Sequence, residues 1–225
     1  MIRTVFLDVD NTLLDFHACA GASMAEGLAE HGVVFTEEMF ETFTRVNNGL
    51  WLSLERGELT QEELYRVRFA RIFSELGLEL DGAEFEVLFR KKLDRAAEPV
   101  PGALEILRYL AAGYTVCAAS NAPQAQQLAR LEKAGMLPCL TELLTSERIG
   151  AEKPGRAFFE GCFALLPEAK PEETIMIGDS LTADILGARD FGLVTCWYDP
   201  AGDSAPSGFR PDYVVRSLDE IRSFL

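Results

Sequence analysis

The chain is 225 residues long and 48% hydrophobic with a formal net charge of −15, so it can bury a substantial core in one large domain or two small ones, and a soluble globular protein is expected. The acidic balance disfavours binding of a nucleic acid polymer, which relies on a broad field of Lys and Arg to displace counterions. The longest apolar runs fall far short of a membrane span and no signal-peptide pattern precedes the first strand, so no membrane association and a cytoplasmic location are expected. Five cysteines (Cys19, Cys117, Cys139, Cys162, Cys196) form no CxxC pair and read as reduced, mostly buried thiols.

In chain order, Thr4-Val5-Phe6-Leu7-Asp8-Val9-Asp10-Asn11-Thr12 is an apolar run ending in two carboxylates and two small polar residues. It reads as a buried strand that delivers chemistry at its carboxyl end. Asp8 and Asp10 are two apart, and the turn at Asn11-Thr12 can aim both at one pocket, where they repel unless a cation or proton intervenes. An EF-hand is excluded, because the sixth position of such a loop would be Leu13 and the twelfth Cys19.

Residues 16 to 98 read as helices only, an inserted helical bundle. Met24, Leu28 and His31 follow one helical face, and Phe40, Phe43, Asn47, Leu50 and Leu54 another. Thr60-Gln61-Glu62-Glu63 has the capping-box form and opens a helix through Leu64, Val67, Phe69, Ile72 and Leu76, while Asp81 with Glu84 starts a fourth through Phe85, Leu88, Phe89 and Leu93. Arg90-Lys91-Lys92 reads as a solvated face. A buried Asn47 needs hydrogen-bond partners, either within the protein or in a ligand.

After Pro99-Val100-Pro101-Gly102 the pattern changes to alternating helices and short strands. Strands are expected over Tyr114 to Ala119, Leu143 to Ser146, Thr174 to Gly178, Val194 to Tyr198 and Tyr213 to Val215. Helices are expected at 102 to 112 and Pro123 to Lys133, a last one follows Ser217, and a polar loop spans Pro200 to Pro211. The fold class is therefore α/β, a mostly parallel, doubly wound sheet flanked by helices with an inserted helical domain. Residues 1–15 and 99–225 are expected to form one domain and residues 16–98 the insertion.

Three further sites stand at strand ends. Ser120-Asn121 offers a hydroxyl and backbone amides to a phosphate oxygen, or is an ordinary cap. Lys153 is a point charge for a phosphoryl group, or merely solvated. Asp179 repeats the design of Asp8, and Asp184 five residues on either joins it or complements a helix dipole; hard oxygen ligands of this kind suit Mg²⁺.

Taken together, Asp8-Val9-Asp10-Asn11-Thr12, Ser120, Lys153 and Gly178-Asp179 with Asp184 resemble, in order, the four motifs of the haloacid dehalogenase-like phosphatases. The resemblance spans the whole chain. It implies a Rossmann-like core with the helical segment as a cap. Asp8 would be the nucleophile and Asp10 the general acid/base. Ser120, with Asn121 beside it, and Lys153 would hold the phosphoryl group. Mg²⁺ would be bound by Asp8, the Asp10 carbonyl and Asp179, with Asp184 supporting through water or from behind.

The segments Val46 to Trp51, Gln127 to Gly135, Ala183 to Ala188 and Thr195 to Trp197 are similar to the pyrimidine 5′-nucleotidase subgroup. This implies a phosphomonoester substrate of the nucleoside monophosphate class, with phosphoglycolate or a sugar phosphate as the alternative. Asn47, Asn48 and Trp51 are candidates for reading the base, since an amide suits a pyrimidine edge and an indole can stack. A monomer or small homo-oligomer is expected. Asp10 argues against dehalogenation, where no leaving-group acid is needed, and the intact Asp8, Asp10, Lys153 and Asp179 argue against a non-catalytic phosphate-binding protein.

Overall fold

The computed structural model describes residues 1–203 and 209–225. Two compact units are present: Met1–Phe16 with Ala97–Leu225, and His17–Ala96.

The first unit is built on a six-stranded sheet of β1 (Thr4–Leu7), β2 (Thr115–Ser120), β3 (Glu142–Thr145), β4 (Thr174–Gly178), β5 (Val194–Tyr198) and β6 (Tyr213–Val215). The strand order is β3-β2-β1-β4-β5-β6 and every pairing is parallel. Successive side chains on a strand alternate faces. Val5, Leu7, Val116, Ala118, Ile175 and Ile177 pack on one side, against α5 (Ala103–Ala111), Leu131 of α6 (Gln124–Lys133) and the 3₁₀ turns of Leu218–Ser223. Phe6, Cys117, Ala119 and Met176 pack on the other, against Phe158, Phe159 and Cys162 of α8 (Arg156–Leu165) and Ala188 of α9 (Gly187–Phe191). Burial on both faces explains the unbroken apolar runs of the central strands. The chain winds one way from β1 to β3 and the other way from β4 to β6, so the sheet reverses between β1 and β4, where an open α/β sheet leaves a crevice at its carboxyl edge.

The expected strands are present with small shifts. Ser146 does not extend β3 but opens a single turn, α7 (Ser146–Ile149), capped by the Thr145 hydroxyl. The last helix is 3₁₀, opened by a capping box between Ser217 and Glu220. Of the expected Pro200 to Pro211 loop, residues 204–208 lie outside the described residues.

The second unit comprises α1 (Phe16–Glu30, whose first residue belongs to the other unit), α2 (Glu37–Glu55), α3 (Gln61–Leu76) and α4 (Gly82–Leu93). Thr36, Thr60 and Asp81 cap the last three by accepting backbone N–H bonds, and Gly77 ends α3 in the left-handed conformation at φ 64°. The core is aromatic: Phe69 lies 4.7 Å from Phe85, 4.9 Å from Phe89 and 5.9 Å from Phe43 between ring centroids. Three sequence expectations are corrected. His31 is exposed just past α1, and the buried stripe there is Cys19, Ala20, Ser23, Met24, Gly27 and Leu28. On α3 the buried residue is Arg68 and not Val67. The basic run on α4 is not uniformly solvated: Lys92 Nζ donates to Glu30 at 2.6 Å, tying α4 to α1, and the Arg90 guanidinium lies 4.4 Å from the Tyr65 ring centroid.

Candidate active site

The carboxyl ends of β1, β2 and β4 carry Asp8, Asp10, Ser120 and Asp179, and Lys153 lies in the connection between α7 and α8. Beyond β1, the Asp8 amide donates to Ile177 O at 2.9 Å and so continues the pairing with β4. The chain then turns sharply. Asn11 takes φ 60°, a left-handed conformation that Asn tolerates better than most residues, and Leu13 and Leu14 both return their amides to Val9 O. The Thr12 hydroxyl accepts from the Asp179 amide at 3.1 Å, fastening the β1 turn to the β4 turn. Trp197 Nε1 donates to Asp179 O at 2.9 Å from the next strand.

Lys153 lies at the centre and is 2% exposed. Its ammonium donates to Asp8 Oδ1 at 2.6 Å, Asp184 Oδ1 at 2.7 Å and Ala119 O at 2.7 Å, which uses all three of its protons. Its backbone is gripped by Asn121, whose amide donates to Lys153 O at 2.9 Å and accepts from Lys153 N at 2.8 Å. The Asn121 side chain therefore positions Lys153. Asp184 sits in a π-helical turn, Leu181–Leu186, where its Oδ2 accepts from Ser180 N at 3.1 Å. Gly178 is required beside it, because a Cβ there would collide with the Asp184 carboxylate.

Burial drives the electrostatics. It raises the Asp8 carboxyl well above the usual range; Lys153 opposes this, while Asp184, Asp179 and Asp10 add repulsion. Asp179 is pushed up to about 7, by burial first and then by Asp184. Burial works against the Lys153 ammonium, but Asp184 and Asp8 outweigh it and hold its pKa above the ordinary lysine value.

One carboxylate oxygen each from Asp8, Asp179 and Asp184 lie within 4.8 Å of one another. Asp8 and Asp184 are buried and Asp179 half-buried, with one ammonium, Lys153, among them, so the cluster is short of positive charge by about two units when all three ionise. Crowded hard oxygens with that deficit fit a divalent cation such as Mg²⁺.

Ser120, 2% exposed at the end of β2, accepts from Ala122 N at 3.1 Å and from Gln127 Nε2 at 2.9 Å. Both contacts use its oxygen as acceptor, leaving the hydroxyl proton for an anion. Asp10 is met from α6: Gln127 Nε2 donates to its Oδ2 at 2.6 Å and Arg130 Nη1 to its Oδ1 at 2.5 Å. Sequence reasoning assigns no chemistry to Gln127 or Arg130. The available signal is their spacing of three, which sets two long polar side chains on one face of a helix that must cover the sheet. Asn47 belongs to the helical unit, where it is 3% exposed and its Oδ1 accepts from Arg68 Nη1 at 2.9 Å. Asn48 is exposed and Trp51 half-buried.

The description haloacid dehalogenase-like hydrolase matches residues 2–192 as a family. The chain is 33% identical to the pyrimidine 5′-nucleotidase PynA of Streptococcus pneumoniae, with 97% of this chain and 93% of that protein covered. It is 30% identical to the pyrimidine 5′-nucleotidase YjjG of Escherichia coli, covering 98% and 96%. The solved structure of the HAD-hydrolase YfnB from Bacillus subtilis, bound to magnesium, superposes with a TM-score of 0.94 at 32% identity over 99% of this chain and 97% of that one.

Proposed function

The chain belongs to the haloacid dehalogenase-like hydrolases, and we propose that, as a phosphatase of this family, it is a Mg²⁺-dependent phosphomonoester hydrolase working through an aspartyl phosphate on Asp8. The observation that carries this reading is the buried Lys153 bridging Asp8 and Asp184 with Asp179 alongside. A lysine so enclosed can neutralise phosphoryl charge while it fixes the nucleophile.

In the first half-reaction an Asp8 carboxylate oxygen forms a bond to phosphorus, the bond from phosphorus to the ester oxygen breaks, and Asp10 gives that oxygen a proton. In the second, Asp10 takes a proton from water, the water oxygen bonds to phosphorus, and the Asp8 to phosphorus bond breaks to release phosphate. Ser120 holds a phosphoryl oxygen and the Lys153 ammonium neutralises phosphoryl charge throughout. Asp8, Asp179 and the Asp10 main-chain carbonyl, with Asp184 in support, would hold Mg²⁺, which would supply charge neutralisation and orientation of the phosphoryl group.

We read the substrate as a pyrimidine nucleoside 5′-monophosphate and the enzyme as a cytoplasmic monomer or small homo-oligomer. The support for the substrate is that two relatives at 30% and 33% identity over nearly the full chain carry pyrimidine 5′-nucleotidase names. The helical unit is read as the cap that selects it. Among its three candidates the Asn47 carbonyl is engaged by Arg68, which leaves Asn48 and Trp51 as the better base readers.

The test is phosphate release with Mg²⁺ from nucleoside monophosphates, phosphoglycolate and sugar phosphates. Preference for uridine or thymidine monophosphate, abolished by chelation, is expected. A preference for phosphoglycolate or a sugar phosphate would overturn the nucleotide assignment, and full activity after exhaustive chelation would overturn the metal requirement.

A further inference from the structure

Resting on the phosphohydrolase reading, we propose that Gln127 and Arg130 are positioning residues that clamp the Asp10 carboxylate and tie it to the phosphate-binding hydroxyl of Ser120. Both side chains are fully buried, at 0% exposure, whereas the Asp10 side chain they meet is 26% exposed. Each Asp10 oxygen receives a donor from α6: Oδ1 from Arg130 Nη1 at 2.5 Å and Oδ2 from Gln127 Nε2 at 2.6 Å. The clamp is itself cross-braced. Arg130 Nη1 also donates to Gln127 Oε1 at 3.1 Å, and the second Gln127 contact, to Ser120 Oγ, is 2.9 Å.

Packing alone does not call for this arrangement. The neighbouring Leu131 covers the sheet with an ordinary apolar side chain, while a fully buried guanidinium costs several kcal/mol of desolvation before its pair repays any of it. An acid/base carboxylate must be held within hydrogen-bond reach of the leaving oxygen and then of the water, and a displacement of about 1 Å can cost ~10²-fold in rate. A rigid two-point hold from one helix, linked to the residue that seats the phosphoryl group, supplies that alignment.

The test compares Arg130→Met and Gln127→Met with wild type and Asp10→Asn in saturating Mg²⁺, on two esters. p-Nitrophenyl phosphate releases a stable phenolate that needs little protonation, whereas uridine 5′-monophosphate releases an alkoxide that needs it. If the clamp acts through Asp10, kcat for uridine 5′-monophosphate falls about 10- to 100-fold with KM changed less than about threefold. p-Nitrophenyl phosphate then gives a rapid burst of about one phenolate per enzyme, because Asp8 is still phosphorylated while the water step is slow. Adding Arg130→Met to Asp10→Asn causes no further loss. Equal losses in the burst rate and in uridine release, or losses that add to those of Asp10→Asn, would overturn the proposal. Should Arg130→Met fail to fold, Gln127→Met, neutral and of similar length, decides by the same pattern. A wild-type enzyme inert towards both esters would overturn the phosphatase reading itself, and this inference with it.

Discussion

Lys153 is the residue on which most of the site depends. Taken from sequence by itself it is one lysine before a proline, and most such lysines are merely solvated. Beyond the resemblance, what distinguishes it is that β1, β2 and the Leu181–Leu186 turn place three acceptors around Nζ. Removing the ammonium leaves Asp8 and Asp184 facing each other without their counter-charge. Lys153→Met should therefore abolish turnover and cost about 3–5 kcal/mol of stability at pH 8, the usual penalty for breaking a buried pair. The sign with pH follows from Asp8, whose folded pKa is already raised and rises further without Nζ. A carboxyl that keeps its proton longer in the folded state loses stability as pH climbs, so the deficit should shrink towards pH 5. Urea denaturation at the two pH values measures this; a deficit that grows on acidification would contradict the placement of the charge.

At the scale of elements, the helical unit was legible where local rules operate and illegible where tertiary contacts decide. The caps at Thr60 and Asp81 and the stripe of α2 follow from pattern and are present. Burial of Arg68 does not follow, because an arginine in a helix is ordinarily solvent-facing. Here Nε and Nη2 pair with Glu86 at 3.1 and 2.6 Å, Nη1 meets Asn47, and the guanidinium lies 5.1 Å from the Phe89 ring centroid and 5.6 Å from that of Phe69. Arg68→Met should cost about 3–5 kcal/mol by stranding Glu86, and the double change with Glu86→Leu should recover most of it. Thermal and chemical melts of the three variants check this. On α2, where Asn48 is exposed and Trp51 half-buried, Asn48→Ala and Trp51→Ala should lower kcat/KM for uridine 5′-monophosphate by about tenfold, a base contact being worth ~1–3 kcal/mol, while sparing p-nitrophenyl phosphate. Equal losses on both esters would exclude a base-reading role.

Over the whole molecule, the alternation of strand and helix after Pro99 was sufficient to indicate a doubly wound parallel sheet, because a strand buried on both faces has no other common context. Strand order was not readable, since the pairing of β1 with both β2 and β4 joins segments more than a hundred residues apart. Nor was the hold of α6 on Asp10, which depends on how that helix crosses the sheet. The fold concentrates carboxylates at the reversal point, and this should tie stability to metal. Asp179 is held at about 7 against an ordinary 3.8, so between those values the metal-free folded protein retains a proton that the unfolded chain has lost. Stability without metal should fall as pH rises through that window. The gain in Tm from Mg²⁺, which needs ionised carboxylates, should be larger at pH 8 than at pH 5 and should vanish in Asp179→Asn. Covalent catalysis by Asp8 can be caught by acid-quenching Asp10→Asn during turnover of p-nitrophenyl phosphate with Mg²⁺ and locating the phosphoryl group by peptide mass spectrometry. The phosphoryl group is expected on the peptide carrying Asp8 and absent from the corresponding peptide of Asp8→Asn/Asp10→Asn. A phosphoryl group on another residue, or phenolate release with none retained on the protein, would contradict covalent catalysis by Asp8.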